Sequence, residues 1–361
     1  MRKGLCCLLL YMTLAAGARV VLERPLPPAR ALLPEQDTVS MVIIGDVMMH
    51  ARQLQYNHRE FLRLVAPRLQ EADLAVANME FPMAGPPYTG YPSFSTPDEY
   101  AAYLADCGVD VFLLGNNHVL DREAAGLRRT LRVYDELQQT RGTRYTGAAA
   151  DPEAVKKNHP LVIFRRGMRI ALVNFTYGTN NGGVPDWPHI NLMHRDEVRT
   201  AIEEARAAGA DFVVALPHWG EEYQLRHSRS QEEWARWLVS CGVDAIVGSH
   251  PHVVQDSTHI NGVPVFYSLG NAVSNMSARN TQLELAVTLR FVRNNRTREV
   301  RLLEPEAEWM WCSLPGHFSD NYTTLFIEEW TGRRSDWSIP KDYDNMLETL
   351  RRVSAATGIG L

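Results

Sequence analysis

Cysteine is scarce in this chain and badly placed for crosslinking. Of its five cysteines, Cys6 and Cys7 fall in the first twenty residues, and Cys107, Cys241 and Cys312 are scattered through the rest. They form neither a disulfide framework nor a C-x-x-C zinc pair. Cys107 and Cys241 each precede a Gly-Val-Asp step, which predicts small apolar packing at a helix end. An excess of positive charge is also missing. The 37 basic and 42 acidic residues give a net charge of -5. Nothing in that balance suggests nucleic-acid binding, which usually needs a basic face. Internal repeats and low-complexity segments do not stand out, and no apolar run reaches the ~20 residues a membrane-spanning helix needs.

What is present begins with the N-terminus. Arg2 and Lys3 precede an apolar run from Leu5 to Ala16, and Ala16-Gly17-Ala18 reads as a cleavage site. This predicts a secretory signal peptide over 1–18, cleaved after Ala18, with an uncleaved membrane anchor as the alternative. The chain is therefore expected to be exported, to the periplasmic or extracellular face of the membrane. Residues 19–38, rich in Pro, Arg and Leu without a period, are expected to be a linker.

The remainder is 45% apolar across the whole chain and long enough to bury a large core. Short apolar runs close on polar residues again and again. Met41–Ile44 ends at Gly45-Asp46, Asp73–Ala77 at Asn78-Met79-Glu80, and Val109–Leu114 at Gly115-Asn116-Asn117-His118. Phe212–Leu216 ends at Pro217-His218-Trp219-Gly220, and Ala245–Val247 at Gly248-Ser249-His250-Pro251-His252. Such runs suit buried strands of an α/β sheet. Helical periodicity falls between them, at Arg59–Leu69, Pro97–Asp106, Arg122–Gln139, Arg195–Ala208 and Ser230–Val239. Leu161–Phe175, with Arg166-Gly167 near its middle, reads as a hairpin. Val263–Leu269, Leu283–Phe291 and Glu299–Leu303 read as further strands, and the tail is helical from about Lys341.

Ligands of α/β sheets bind beyond the carboxyl ends of the strands. Here those ends carry Asp46, Glu80, Asn117, His118, His218, His250 and His252. Oxygen and imidazole donors in this mixture suit Mn, Fe or Zn rather than an ion that takes oxygen alone. Any one of these residues alone reads as an ordinary polar strand end; the series carries the inference.

Taken in order, Gly45-Asp46, Asn78-Met79-Glu80, Asn116-Asn117-His118, His218-Trp219-Gly220, Gly248–His252 and Ser268-Leu269-Gly270-Asn271 resemble the CapA family of bacterial capsule and poly-γ-glutamate biosynthesis proteins, within the calcineurin-like metallophosphatase superfamily. The resemblance covers about Ser40 to Ser274. It implies a four-layer α/β/β/α sandwich, with a metallophosphatase domain over 39–278 and C-terminal strands and a helix over 279–361 that complete or decorate it. It also implies two divalent metal ions, bridged by Asp46 and Glu80. Asn117, His218 and His250 would complete one metal and His252 would bind the other, while His118 would be the catalytic acid just outside. The sequence departs from the superfamily at Met48, where a histidine is frequent. Trp219 and Asn271 are expected to be structural, and Glu221 and Glu222 a solvated helix start.

Three functions fit. The first is a metal-dependent phosphoester hydrolase acting outside the cytoplasm. The second is a capsule or poly-γ-glutamate export component acting on an anionic envelope polymer. The third is a non-catalytic, metal-containing member of a membrane synthase complex. His118 favours chemistry, because a binding site has no need of an outer acid.

Overall fold

The computed structural model describes residues 34–360. The expected signal peptide and most of the expected linker lie outside the described residues. The first strand, β1 (Gln36–Val47), begins inside the stretch read as linker, because Gln36 and Asp37 pair with Asn294 and Arg293. Helix α1 (Ala66–Glu71) is only the end of the helix expected over Arg59–Leu69. Pro67 sits in its first turn and lacks the N–H that a longer helix would need there.

Strand β2 (Leu74–Met79), helix α2 (Asp98–Asp106), strand β3 (Val111–Leu113), helix α3 (Glu123–Arg141) and strand β4 (Arg144–Thr146) follow as alternating units. A short strand β5 (Ala148–Ala149) and helix α4 (Pro152–Asn158) lead to the expected hairpin, β6 (Leu161–Arg165) and β7 (Met168–Thr176). Strand β8 (His189–Ile190) pairs back on β5. Then come α5 (Arg195–Ala207), β9 (Phe212–His218), α6 (Arg229–Ser240), β10 (Ala245–Val247), β11 (Ser257–Ile260) and β12 (Val263–Phe266). The C-terminal part holds β13 (Leu283–Asn294), β14 (Val300–Leu302), β15 (Glu306–Ser313), β16 (Thr323–Phe326), the single turn α7 (Ile327–Trp330) and α8 (Pro340–Thr357). None of the described helices is long and apolar enough to cross a membrane. Cys107 and Cys241 stand at the C-caps of α2 and α6, the packing role their context predicts.

Two sheets result. One runs β16-β15-β13-β1-β2-β3-β4, with β14 on β13; the other runs β11-β12-β10-β9-β7-β6. Alternation along the strands decides the layers. Met41 and Ile43 of β1, Leu74 and Val76 of β2, and Leu285, Val287 and Leu289 of β13 share one apolar cluster with Leu172, Val214 and Val247 of the other sheet. Val42 and Ile44 point oppositely, joining Leu104, Leu127 and Leu131 of α2 and α3. Val173, Val213 and Ile246 do likewise with Ile202 and Leu238 of α5 and α6. The architecture is the expected α/β/β/α sandwich.

The C-terminal segment is part of that sandwich. Strand β13 is the antiparallel neighbour of β1, paired from Gln36↔Asn294 to Ile43↔Val287. Tyr343, Met346 and Val353 of α8 enter the core between the sheets. A boundary between 278 and 279 therefore divides one hydrogen-bonded sheet.

Candidate metal centre

In both sheets the parallel strands end at the same edge, and the seven predicted residues meet there. All seven are buried. Asp46 closes β1, Glu80 follows β2, and Asn117 and His118 follow β3. His218 closes β9, and His250 and His252 follow β10. The close turn at Asp46 depends on Gly45: a Cβ there would lie 2.1 Å from the Gly270 carbonyl oxygen. The next residue donates across the same gap, Asp46 N–H to Gly270 O at 2.9 Å. Gly45→Ala is expected to cost at least about 2 kcal/mol through overpacking and to loosen Asp46. Chemical denaturation of the variant checks it.

The electrostatics are those of a site built for cations. Both Glu80 carboxylate oxygens are buried without a hydrogen-bond partner, and so is His250 Nδ1. Such orphans are rare in native interiors and call for an explanation. Burial, and then Asp46, push the Glu80 carboxyl well above its ordinary range. Glu80, His250 and His252 each direct a donor atom into a space less than 4.8 Å across. His218 Nε2 lies 2.8 Å from Asn117 Oδ1 and 3.6 Å from Glu80 Oε1. His218 Nε2 and Asn117 Oδ1 share a hydrogen bond here, and with Glu80 they converge where a cation could take both as donors. The donor set therefore fits the metals that the sequence implies.

The imidazoles are prepared differently. Burial and the neighbouring His250 and His252 push His218 well down, and burial followed by His252 pushes His250 down to about 3. Both stay neutral and can offer a lone pair. At His252 burial opposes the charge, but Glu80 and Asp46 outweigh it and hold the ring up to about 10. Asn271 orients that ring. Its Nδ2 donates to His252 O and Thr281 O, so its Oδ1 faces His252 Nδ1 at 2.9 Å. The Nδ1 proton is thereby held on Asn271, which leaves Nε2 to face Glu80 at 3.8 Å. Asn271, expected to be structural, fixes the orientation of the His252 ring. The close triad also groups His250 with His252, whereas the resemblance assigns them to different metals.

His118 has its own partner. Its Nδ1 is 2.7 Å from Asp121 Oδ2, both side chains being buried, and Phe94 packs edge-on against the ring. Asp121 was audible in the sequence only as an acid three residues on, a spacing shared by many solvated pairs. Met48 is buried in the apolar cluster of the outer helices. His50, two residues on, is pushed down to about 4, chiefly by burial, and lies against Gln53 and Phe94. Trp219 is packing, as expected: it is buried and donates to Tyr267 O. Glu221 and Glu222 belong to a loop, since α6 begins only at Arg229, where Ser228 and Gln231 form a capping box.

Asn78, Asn116 and Glu284 were not singled out by the sequence. Asn78 Nδ2 donates to Asp46 Oδ1 at 2.7 Å, and Asn116 Nδ2 donates to Met79 O. Glu284 lies in the apolar run of β13, where a lone charge is the one available signal. Its Oε1 accepts from Gly45 N–H at 2.6 Å, and burial pushes its carboxyl well up. Glu284→Gln preserves an acceptor without a buried ionisable group and is expected to fold with unchanged or higher stability. Glu284→Leu orphans the Gly45 N–H and is expected to cost about 1–3 kcal/mol. Paired urea denaturation of the two variants separates these outcomes.

Residues 40–276 match the family described as bacterial capsule synthesis protein PGA_cap. The chain belongs to that family. Among its relatives, the capsule biosynthesis protein CapA of Bacillus anthracis is 30% identical over 280 residues, covering 73% of this chain and 66% of the relative. The PGA biosynthesis protein CapA of Bacillus subtilis is 26% identical over 276 residues, covering 73% and 70%. The chain thus spans about two thirds of the length of these PGA_cap relatives. A NAD nucleotidase structure from Haemophilus influenzae aligns at a TM-score of 0.48 and 14% identity, over 88% of this chain and 63% of that one.

Proposed function

We propose that this PGA_cap protein is a metal-dependent phosphoester hydrolase of envelope polymer biosynthesis, acting outside the cytoplasm. The observation that carries the reading is Glu80: both carboxylate oxygens are buried without a hydrogen bond, and Oε1 faces His218 and His252. Asp46, Glu80, Asn117, His218, His250 and His252 would hold the cations. When bound, these would supply Lewis acidity toward phosphoryl oxygens and acidify an attacking water.

The chain's own residues do the rest. Asp121 holds His118 through Nδ1, so that Nε2 is the atom available to pass a proton to a leaving oxygen. Asp121 also stabilises the imidazolium from which that proton departs. A non-catalytic component of a synthase complex would need the ligands but not this buried pair. Export rests on the leader reading of the first eighteen residues.

The test is elemental analysis of the full chain and of His250→Gly, together with phosphomonoesterase and phosphodiesterase assays in added Mn²⁺. Glycine is chosen because His250 has a φ of 105°. Two metal equivalents with turnover in the wild type, both reduced in the variant, are expected. A folded protein that takes up no metal overturns the reading.

A further inference from the structure

Eight large apolar or aromatic side chains are exposed among the described residues, and three of them are tyrosines set over the site's imidazoles. Tyr91, 70% exposed, has its ring centre 6.3 Å from that of His118. Tyr177, 48% exposed, lies 4.7 Å from His250 and is stacked over His218 at 6.4 Å. Tyr223, 45% exposed, lies 6.3 Å from His252. They come from three separate loops. Tyr223 is held at a φ of 65°, a conformation that costs a bulky residue energy, with its N–H donated to Pro251 O. Convergence of three independent loops on one group of imidazoles is not explained by core packing, because all three tyrosines are exposed.

The charge beside the rim is negative: Glu222, next to Tyr223, is close enough to act electrostatically on both Glu80 and His252. A rim of tyrosine faces with a carboxylate beside it suits an uncharged ring and repels an anionic tail.

Building on the hydrolase reading, we infer that Tyr91, Tyr177 and Tyr223 select phosphoesters whose leaving group carries an uncharged ring, sugar or aryl. The phosphoryl group lies at the metal donors, and the ring is held between the tyrosine faces on the leaving-group side, next to His118.

Calorimetric titration of the Mn²⁺-loaded full chain tests this with matched probes. Phenylphosphonate is compared with methylphosphonate, and glucose 1-phosphate with glycerol 1-phosphate. The ring-bearing member of at least one pair is expected to bind about tenfold more tightly; the pair that shows it distinguishes aryl from sugar. In Tyr91→Ala/Tyr223→Asn, where asparagine tolerates the left-handed backbone, that preference should largely disappear while metal content is retained. Equal affinities within both pairs, or a preference that survives in the double variant, overturns the inference. If phosphoesters are turned over under those circumstances, the hydrolase reading stands without it. If no probe binds and no phosphoester is hydrolysed, both fall.

Discussion

Glu80→Gln should make the metal-free protein more stable and leave it indifferent to metal. In the wild type, burial and Asp46 together oppose the Glu80 charge more than the neighbouring His252 favours it, and neither carboxylate oxygen has a hydrogen bond to offset that cost. An amide of the same shape removes the ionisable group and leaves the packing alone. Manganese at a hundred to a thousand times its dissociation constant should stabilise the wild type by about 3–4 kcal/mol through mass action. The variant should gain less than about 1 kcal/mol, since the proposed site would lose its buried carboxylate. Thermal unfolding with and without Mn²⁺ measures both effects, and a variant whose unfolding temperature rises with metal as the wild type's does would refute the assignment. The pH dependence has a definite sign. His252 is held up to about 10 in the metal-free protein and so carries a proton at neutral pH. Metal must displace that proton, so affinity should strengthen as pH rises from 7 toward 10.

His118→Asn and Asp121→Asn should slow turnover by about 100-fold or more on an alkyl phosphoester, in the range typical of a lost general acid. On p-nitrophenyl phosphate, whose leaving group is stable as an anion, the loss should shrink to a few-fold. A change in folding or metal content would lower both substrates alike, so the ratio isolates proton transfer. The Asp121 variant is informative because its carboxylate has two jobs. Oδ2 holds His118 Nδ1 at 2.7 Å and also accepts the Phe94 N–H at 2.8 Å. Asparagine can keep an acceptor for Phe94 but stabilises an imidazolium poorly. Equal losses on the two substrates would remove His118 from the role of acid.

The sequence was most informative where one strand and the turn after it contain the whole signal. Asp46, Glu80, His218, His250 and His252 were recognisable because a buried parallel strand must be apolar throughout, so that a polar residue at its end is conspicuous. The helix expected over Arg59–Leu69 shortens to Ala66–Glu71 because Pro67, which lacks an N–H, overrides the apolar periodicity before it. Asn271 was undervalued for a different reason. Its turn reads as structural in isolation, and its role depends on His252, nineteen residues earlier, lying opposite it.

By itself, then, the sequence determined the series of polar strand ends, the family it resembles and the layered α/β character, because each is written in local alternation of apolar and polar residues. The tertiary structure alone decided what those residues face. Glu284 reaches Gly45 across 239 positions of sequence, and β13 closes against β1 although the family match ends before it. The Asp121 support of His118 and the meeting of Tyr91, Tyr177 and Tyr223 over the imidazoles are likewise invisible locally. Such contacts arise when two sheets close on a common core and bring distant loops to one edge, and that proximity has no periodicity in the chain.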